Sequence, residues 1–163
     1  MLSVCCQNGT FSIMILIKQV DPSRTEVIEL IHQLDEYQES MYPPESNHLD
    51  AIDELSKPNV VFYAAYAGSE ICGIGAVKIL DGYGEIKRLY VPETYRGKGI
   101  GKGIVKELEN CLCKRSIFAA RLETGIYQHE AIDLYKKLGY SKTAPFGDYA
   151  EDPLSVFMEK KID

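Results

Sequence analysis

Apolar positions alternate along some stretches of this chain and recur every third or fourth residue along others, and these changes of period divide it into elements. Thr10 to Val20 is apolar and β-branched, which predicts a strand; Asp21-Pro22 ends it and offers Asp21 or Ser23 as a helix cap. Val27, Leu30, Ile31, Leu34 and Met41 then fall at helical spacing, so a helix is expected to about Ser40, broken by Tyr42-Pro43-Pro44-Glu45-Ser46. A shorter helix is expected from Asn47 to Ser56, stopped by Lys57-Pro58. Val60 to Ala67 and Glu70 to Ile79 read as a hairpin turning at Gly68-Ser69, and Glu85 to Val91 as a strand after the turn Asp81-Gly82-Tyr83-Gly84. Ile100, Ile104, Val105, Leu108 and Leu112 mark one face of a helix from about Gly99 to Lys114. Ile117 to Thr124 predicts the next strand. Glu130 to Leu138 predicts a helix carrying Ala131, Leu134, Tyr135 and Leu138, with a left-handed cap at Gly139, and Leu154 to Lys161 the last strand. A strand meander followed by strand–helix units implies an α/β architecture: a mixed sheet with helices on both faces.

At 163 residues the chain suits one domain. We expect residues 1–13 to form a disordered leader, or to reflect an upstream start, and residues 14–163 to form the domain. A net charge of −6 argues against nucleic acid or an anionic membrane as partner, since both require a basic surface. No run is long enough to span a membrane, and the N-terminal segment lacks the basic region of a secretory signal. The five cysteines show neither metal nor redox spacing, and a reduced, cytoplasmic protein is expected. A homodimer is left open.

The stretch from Tyr90 to Gly101 carries most of the chemistry. It leaves a strand, passes glycines at alternate positions (Gly97, Gly99, Gly101) and enters an amphipathic helix. Unpaired amides and the positive end of the helix dipole form an anion site suited to phosphate, with Arg96 and Lys98 at its mouth. A Walker A loop is ruled out because Gly101-Lys102 precedes Gly103 instead of Ser or Thr. A dinucleotide fingerprint fails from either start, since its last glycine would be Lys102 or Ile104. What remains is Arg-x-x-Gly-x-Gly: Arg96, Gly99 and Gly101 following the strand that ends at Val91.

That motif in its strand–helix setting resembles the acetyl-CoA loop of the GNAT acetyltransferase superfamily, and the order of elements resembles the GNAT fold over nearly the whole chain from Met14. The resemblance implies a mixed, mostly antiparallel sheet and an N-acetyltransferase using acetyl-CoA, with no metal. It implies diphosphate contacts from Arg96, Gly97, Lys98, Gly99, Ile100 and Gly101, and pantetheine contacts from the backbone of Leu89, Tyr90 and Val91. Residues 131–140 match the family's Ala-x-x-Leu-Tyr-x-x-x-Gly-aromatic helix, which makes Tyr135 the candidate general acid: a phenol with pKa ~10 stays protonated at neutral pH. Glu85 is the candidate base, with Glu123 as its rival; helix spacing alone favours Tyr135 as a core residue, and a glutamate at a strand start after a glycine turn equally fits a solvated one. Thr124 stands near the position where many relatives have a pantetheine-touching asparagine. His32, His48 and His129 read as solvated or capping.

The segments 42–48 and 145–153 are rich in turn formers, aromatics and carboxylates, and in this fold would border the acceptor cleft. They resemble segments of a bacterial subgroup described only provisionally as small-molecule acetyltransferases. A small amine acceptor is therefore expected, with direct transfer in a ternary complex. A protein lysine or N-terminal acetyltransferase, or a non-catalytic acyl-CoA-binding module, are the alternatives. Glu45, Asp148, Glu151 and Asp152 could attract an ammonium, and Arg88 could receive an acceptor carboxylate, although strand alternation puts Arg88 opposite Glu85 unless a bulge intervenes.

Overall fold

A computed structural model of the protein describes residues 13–163. The N-terminal leader and the first part of the expected Thr10–Val20 strand lie outside the described residues, apart from Ile13 at the leader's end. The elements are β1 (Ile15–Gln19), α1 (Thr25–Met41), α2 (Ile52–Leu55), β2 (Val60–Ala67), β3 (Glu70–Leu80), β4 (Tyr83–Tyr90), α3 (Ile100–Cys113), β5 (Ala119–Gly125), α4 (His129–Lys137), β6 (Ser141–Lys142) and β7 (Ser155–Lys161), with short 3-10 turns at Pro44–Ser46 and Glu93–Tyr95. The seven strands form one sheet in the order β1-β2-β3-β4-β5-β7-β6. Only β4 and β5 run parallel; the other pairs are antiparallel.

The alternation along β2 shows how the sheet buries both faces. Val61 and Ala65 join the cluster beneath α3 with Ile104, Leu108 and Leu112. Phe62, Ala64 and Tyr66 point the other way, into the cluster with Val27, Leu30 and Ile31 of α1 and Leu55 of α2. Tyr135 from α4 and Tyr140 belong to the α3-side cluster. The sheet thus has α1 and α2 on one face, α3 and α4 on the other.

Two local expectations are corrected. Helix α1 starts after Arg24 without a side-chain cap. Asp21 instead accepts the Ser23 amide and hydroxyl at 2.8 and 2.7 Å, closing the turn ahead of the helix. The helix expected over Asn47–Ser56 shrinks to α2, because residues 47–50 adopt no regular structure and Asp50 engages Lys87 and Arg88 of the strand β4.

Two irregularities in β4 shape the centre of the sheet. Its pairing with β5 covers only Gly84–Ile86 against Ala120–Leu122, so beyond Ile86 the two strands part. On the β3 side Ala76 pairs with Lys87 and Ile74 with Tyr90, so two steps on β3 face three on β4. The extra residue is accommodated at Arg88, whose φ of 57° is left-handed. This bulge re-aims a side chain that alternation would have sent toward α3.

Candidate active site

The loop after β4 ends in an open set of backbone donors. The Arg96 amide bonds Glu93 O at 3.2 Å and the Gly103 amide bonds Gly99 O at 2.9 Å; the amides of residues 97 to 102 between them have no backbone partner among the described residues. Gly99 caps α3 with φ 77°, a conformation costly for any residue with a Cβ. Among the described residues, nothing beyond the adjoining chain lies within 4 Å of the place a Cβ would take at Gly97 or Gly99, so a ligand can approach the chain closely there. These residues fit a diphosphate. Arg96 is partly committed: its Nε donates to Val91 O at 2.9 Å, bracing the end of the strand, and Nη1 lies 3.4 Å from Glu130. Lys98 lies over the Tyr95 ring, 5.4 Å from its centroid.

Beyond Ile86 β4 no longer pairs with β5, and a cleft of about 70 Å³ opens there. It is lined by Glu85, Lys87 and Arg88 of β4, Glu123 and Thr124 of β5, and around them Gln38, Tyr42, His48, Gln128, Tyr135 and Tyr149. Ile86, Ala120 and Leu122 belong to the α3-side core, so their neighbours Glu85 and Glu123 face the α1 side together. Tyr135 rises from α4 on the opposite face of the sheet and reaches the cleft beside the gap between the strands. It is 5% exposed, packs edge-on against Tyr140 at 5.6 Å, and its phenol is pushed above the usual range by burial and then by the charge of Glu123.

The two carboxylates differ sharply. Glu85 accepts a short hydrogen bond from the Tyr149 hydroxyl and a contact from Lys87 Nζ at 3.4 Å. Lys87 also pairs with Asp50 at 3.0 Å and reaches the Tyr149 hydroxyl at 3.3 Å. Burial, then the charge of Glu85, raises the Tyr149 phenol, which therefore remains the donor. Glu123 accepts from the Ser155 hydroxyl at 2.8 Å, and no Lys or Arg among the described residues lies within ion-pair distance of it. Burial raises its pKa, only partly offset by Ser155 and the nearby His48 and Lys87.

The bulge turns Arg88 toward α1, where its guanidinium pairs with Asp35 and donates to Asp50 O. Nε is buried with no partner and no exposed surface. Arg88 is thus bound up within the protein and not available to an acceptor carboxylate, a correction to the sequence expectation. Of the four loop carboxylates expected at the mouth, Glu45, Asp148 and Glu151 are exposed outside the lining; Asp152 is bound to the Leu154 amide at 2.8 Å. The Thr124 hydroxyl meets Gln128 Oε1 at 3.1 Å. His32 and His129 are exposed and absent from the lining, whereas His48 packs edge-on against Tyr149 at 5.0 Å.

Both expected wall segments do border the cleft, through particular aromatics. Tyr42 stacks on Tyr127 at 5.7 Å and accepts the Tyr127 amide at 3.0 Å; Gly125 admits it, since a Cβ there would meet the Tyr42 oxygen at 2.0 Å. Tyr149 is wedged between Phe146 and Phe157, at 5.3 and 5.4 Å. Asp35, Asp50, Lys87 and Ser155 were not foreseen as contributors. Lys87 had a usable signal, two places from Glu85 on one strand face; Asp35 and Asp50 had none, since Asp35 is joined to the site through Arg88 at the bulge and Asp50 through long-range contacts with Lys87 and Arg88.

Comparison with known proteins bears on the family and the fold. Residues 26–140 match the model of the acetyltransferase (GNAT) family. An IAA acetyltransferase of Azospirillum brasilense is 41% identical over 150 residues, covering 91% of this chain and 98% of the relative. A Klebsiella pneumoniae protein provisionally described as an acyl-CoA N-acyltransferase superposes with a TM-score of 0.78 at 36% identity, covering 93% of this chain and 99% of that one. The PaiA N-acetyltransferase of Thermoplasma acidophilum, solved with coenzyme A, shares the fold at 22% identity with a TM-score of 0.71, covering 90% and 98% of the two chains.

Proposed function

This chain belongs to the GNAT acetyltransferase family and is an acyl-CoA-dependent acetyltransferase, and on that footing we propose that it acetylates a small-molecule primary amine by direct transfer from acetyl-CoA in a ternary complex. The observation that carries the reading is a continuity. The open amides at the start of α3 and the stretch of β4 released from β5 beyond Ile86 follow one another along one strand and loop, which leads to the cleft lined by Tyr135 and the two carboxylates.

Acetyl-CoA supplies an acyl thioester. The amides of residues 97–102, with Arg96 and Lys98, hold its diphosphate, and the backbone of Leu89, Tyr90 and Val91 takes the pantetheine arm. An amide near Val91 polarises the thioester oxygen. The acceptor nitrogen bonds to the carbonyl carbon as the carbon–sulfur bond breaks. Tyr135 donates its phenolic proton toward the departing sulfur, and a carboxylate takes the proton lost by the amine. Between the two candidates we assign the base to Glu123. Glu85 is already engaged by Lys87 and the Tyr149 hydroxyl, whereas Glu123 has one neutral partner and a raised pKa. A small acceptor is supported by the walls: two aromatic-braced segments enclose a compact space instead of an open groove. We infer a cytoplasmic site of action, in keeping with free thiols at Cys72, Cys111 and Cys113. Among the described residues no helix is long and apolar enough to cross a membrane.

Release of free thiol from acetyl-CoA with panels of small amines and of lysine peptides tests the reading. Turnover with small amines is expected; turnover confined to peptides would overturn it.

A further inference from the structure

Every permanent cation of the acceptor cleft is already neutralised from within the protein. Lys87 spends its ammonium on Asp50, Glu85 and the Tyr149 hydroxyl, at 3.0, 3.4 and 3.3 Å. Arg88 spends its guanidinium on Asp35 and Asp50 O, and its remaining Nε has no surface a ligand could touch. Lys87 and Arg88 keep side-chain exposures of only 11% and 4%, so neither can swing out to greet an anion without abandoning a buried carboxylate. Asp35, behind the lining, takes up Arg88, and Asp50 shares Lys87 with Glu85, so both cations are committed and Glu123 is left with no Lys or Arg among the described residues to pair it. His48 stands at the rim against Tyr149.

Resting on the acetyltransferase reading above, we propose that Glu123 is the seat of the acceptor's ammonium and that the cleft selects small amines carrying no carboxylate. Three features converge. Glu123 is the cleft carboxylate left without a counter-ion, and an ammonium supplies one while presenting its nitrogen beside the β4–β5 gap. A carboxylated acceptor such as a free α-amino acid brings a second negative charge into a small space that holds the unpaired Glu123 and no free cation to receive it. The aromatic walls from Tyr42, Tyr149 and Tyr135 suit an apolar or neutral remainder of the molecule.

The test compares matched acceptors that differ in charge at one point: isoamylamine, leucinamide and leucine, with tyramine, tyrosinamide and tyrosine as a second set. The amide matches the amino acid in size, so it separates charge from steric fit. We expect kcat/KM for amine and amide to exceed that of the amino acid by about tenfold or more in each set. Because Glu123→Gln also removes the proposed base, its effect is read by binding: calorimetry with N,N-dimethylisoamylamine, which cannot be acetylated to a stable amide. Wild type should bind it about tenfold or more tightly than Glu123→Gln does. Amino acids turned over as well as their amides, or equal binding by wild type and Glu123→Gln, would overturn the proposal. Failure of all these acceptors, with acetyl-CoA binding intact, would also overturn it while leaving the cosubstrate reading in place. Loss of acetyl-CoA binding itself would instead strike the reading beneath.

Discussion

Asp35→Ala should destabilise this protein far more than its place on the outer part of α1 suggests. Asp35 is 27% exposed on its side chain, but its partner Arg88 is 4% exposed and sits at a left-handed bulge with φ 57°. Removing the carboxylate leaves a buried guanidinium held by Asp50 O, with Nε already orphaned. Breaking such a buried pair from one side costs about 3–5 kcal/mol; water reaching the Asp35 end favours the lower figure, about 3 kcal/mol. For a domain of this size that is roughly 6–12 °C in Tm, at about 2–4 °C per kcal/mol. Arg88 carries a second, separable cost. A non-glycine residue in the left-handed region is strained by about 1–2 kcal/mol. Arg88→Gly should therefore be more stable than Arg88→Ala by about 1 kcal/mol, although both lose the ion pair. Because the bulge sets the course of Leu89 to Val91, Asp35→Ala should also lower kcat while leaving diphosphate affinity in place. Thermal and urea unfolding measure the stabilities, and steady-state kinetics the rest. An Asp35→Ala protein within 2 °C of wild type, or Arg88→Ala as stable as Arg88→Gly, would refute the reasoning.

Gly99→Val places a β-branched residue at φ 77° where nothing among the described residues beyond the adjoining chain obstructs it, so the fold should survive at a cost of about 1–2 kcal/mol while acetyl-CoA affinity falls sharply. Arg96→Ala should cost less affinity, about 1–3 kcal/mol, and unchanged calorimetric binding by folded Gly99→Val would count against the diphosphate site. Tyr135→Phe should keep folding and cofactor affinity but lower kcat by about 10²-fold; full activity with chemistry rate-limiting would return Tyr135 to the core. Glu123 has a raised folded pKa, so its neutral form is the one that folding favours. Its ionised form destabilises the fold increasingly as pH rises from the unfolded pKa, ~4.3, through the raised folded value, and the cost persists above it. Glu123→Gln should therefore be more stable than wild type at neutral pH and no more stable in acid, while losing the rise of rate with pH. The same loss in Glu85→Gln, with Glu123→Gln unaffected, would move the base to Glu85.

The parts of this fold that were legible are those with long periods and firm punctuation. β2 was expected at Val60–Ala67 and lies there, because a continuous apolar run is bracketed by Pro58 and Gly68. Helix α3 and helix α4 fell within a residue or so of expectation, since each has a full apolar stripe and a glycine at one end. The Asn47–Ser56 helix was overstated because tertiary contacts of Asp50 with Lys87 and Arg88 outweigh local propensity. β6 is two residues long, too short for any period to show. At the site, the glycine cradle, Tyr135 and the two carboxylates could be named from motif and spacing. Their inequality could not. It depends on long-range partners, with Lys87 and the Tyr149 hydroxyl engaging Glu85 and leaving Glu123 to Ser155.

The most direct test of the account is a two-substrate initial-rate study with acetyl-CoA and a small amine varied together, the product identified by mass. The account predicts intersecting double-reciprocal lines and an amine heavier by one acetyl group, formed at a rate that collapses in Gly99→Val and Tyr135→Phe. Parallel lines with an acetylated enzyme captured in the absence of amine, or thiol release with no acetylated amine, would contradict it.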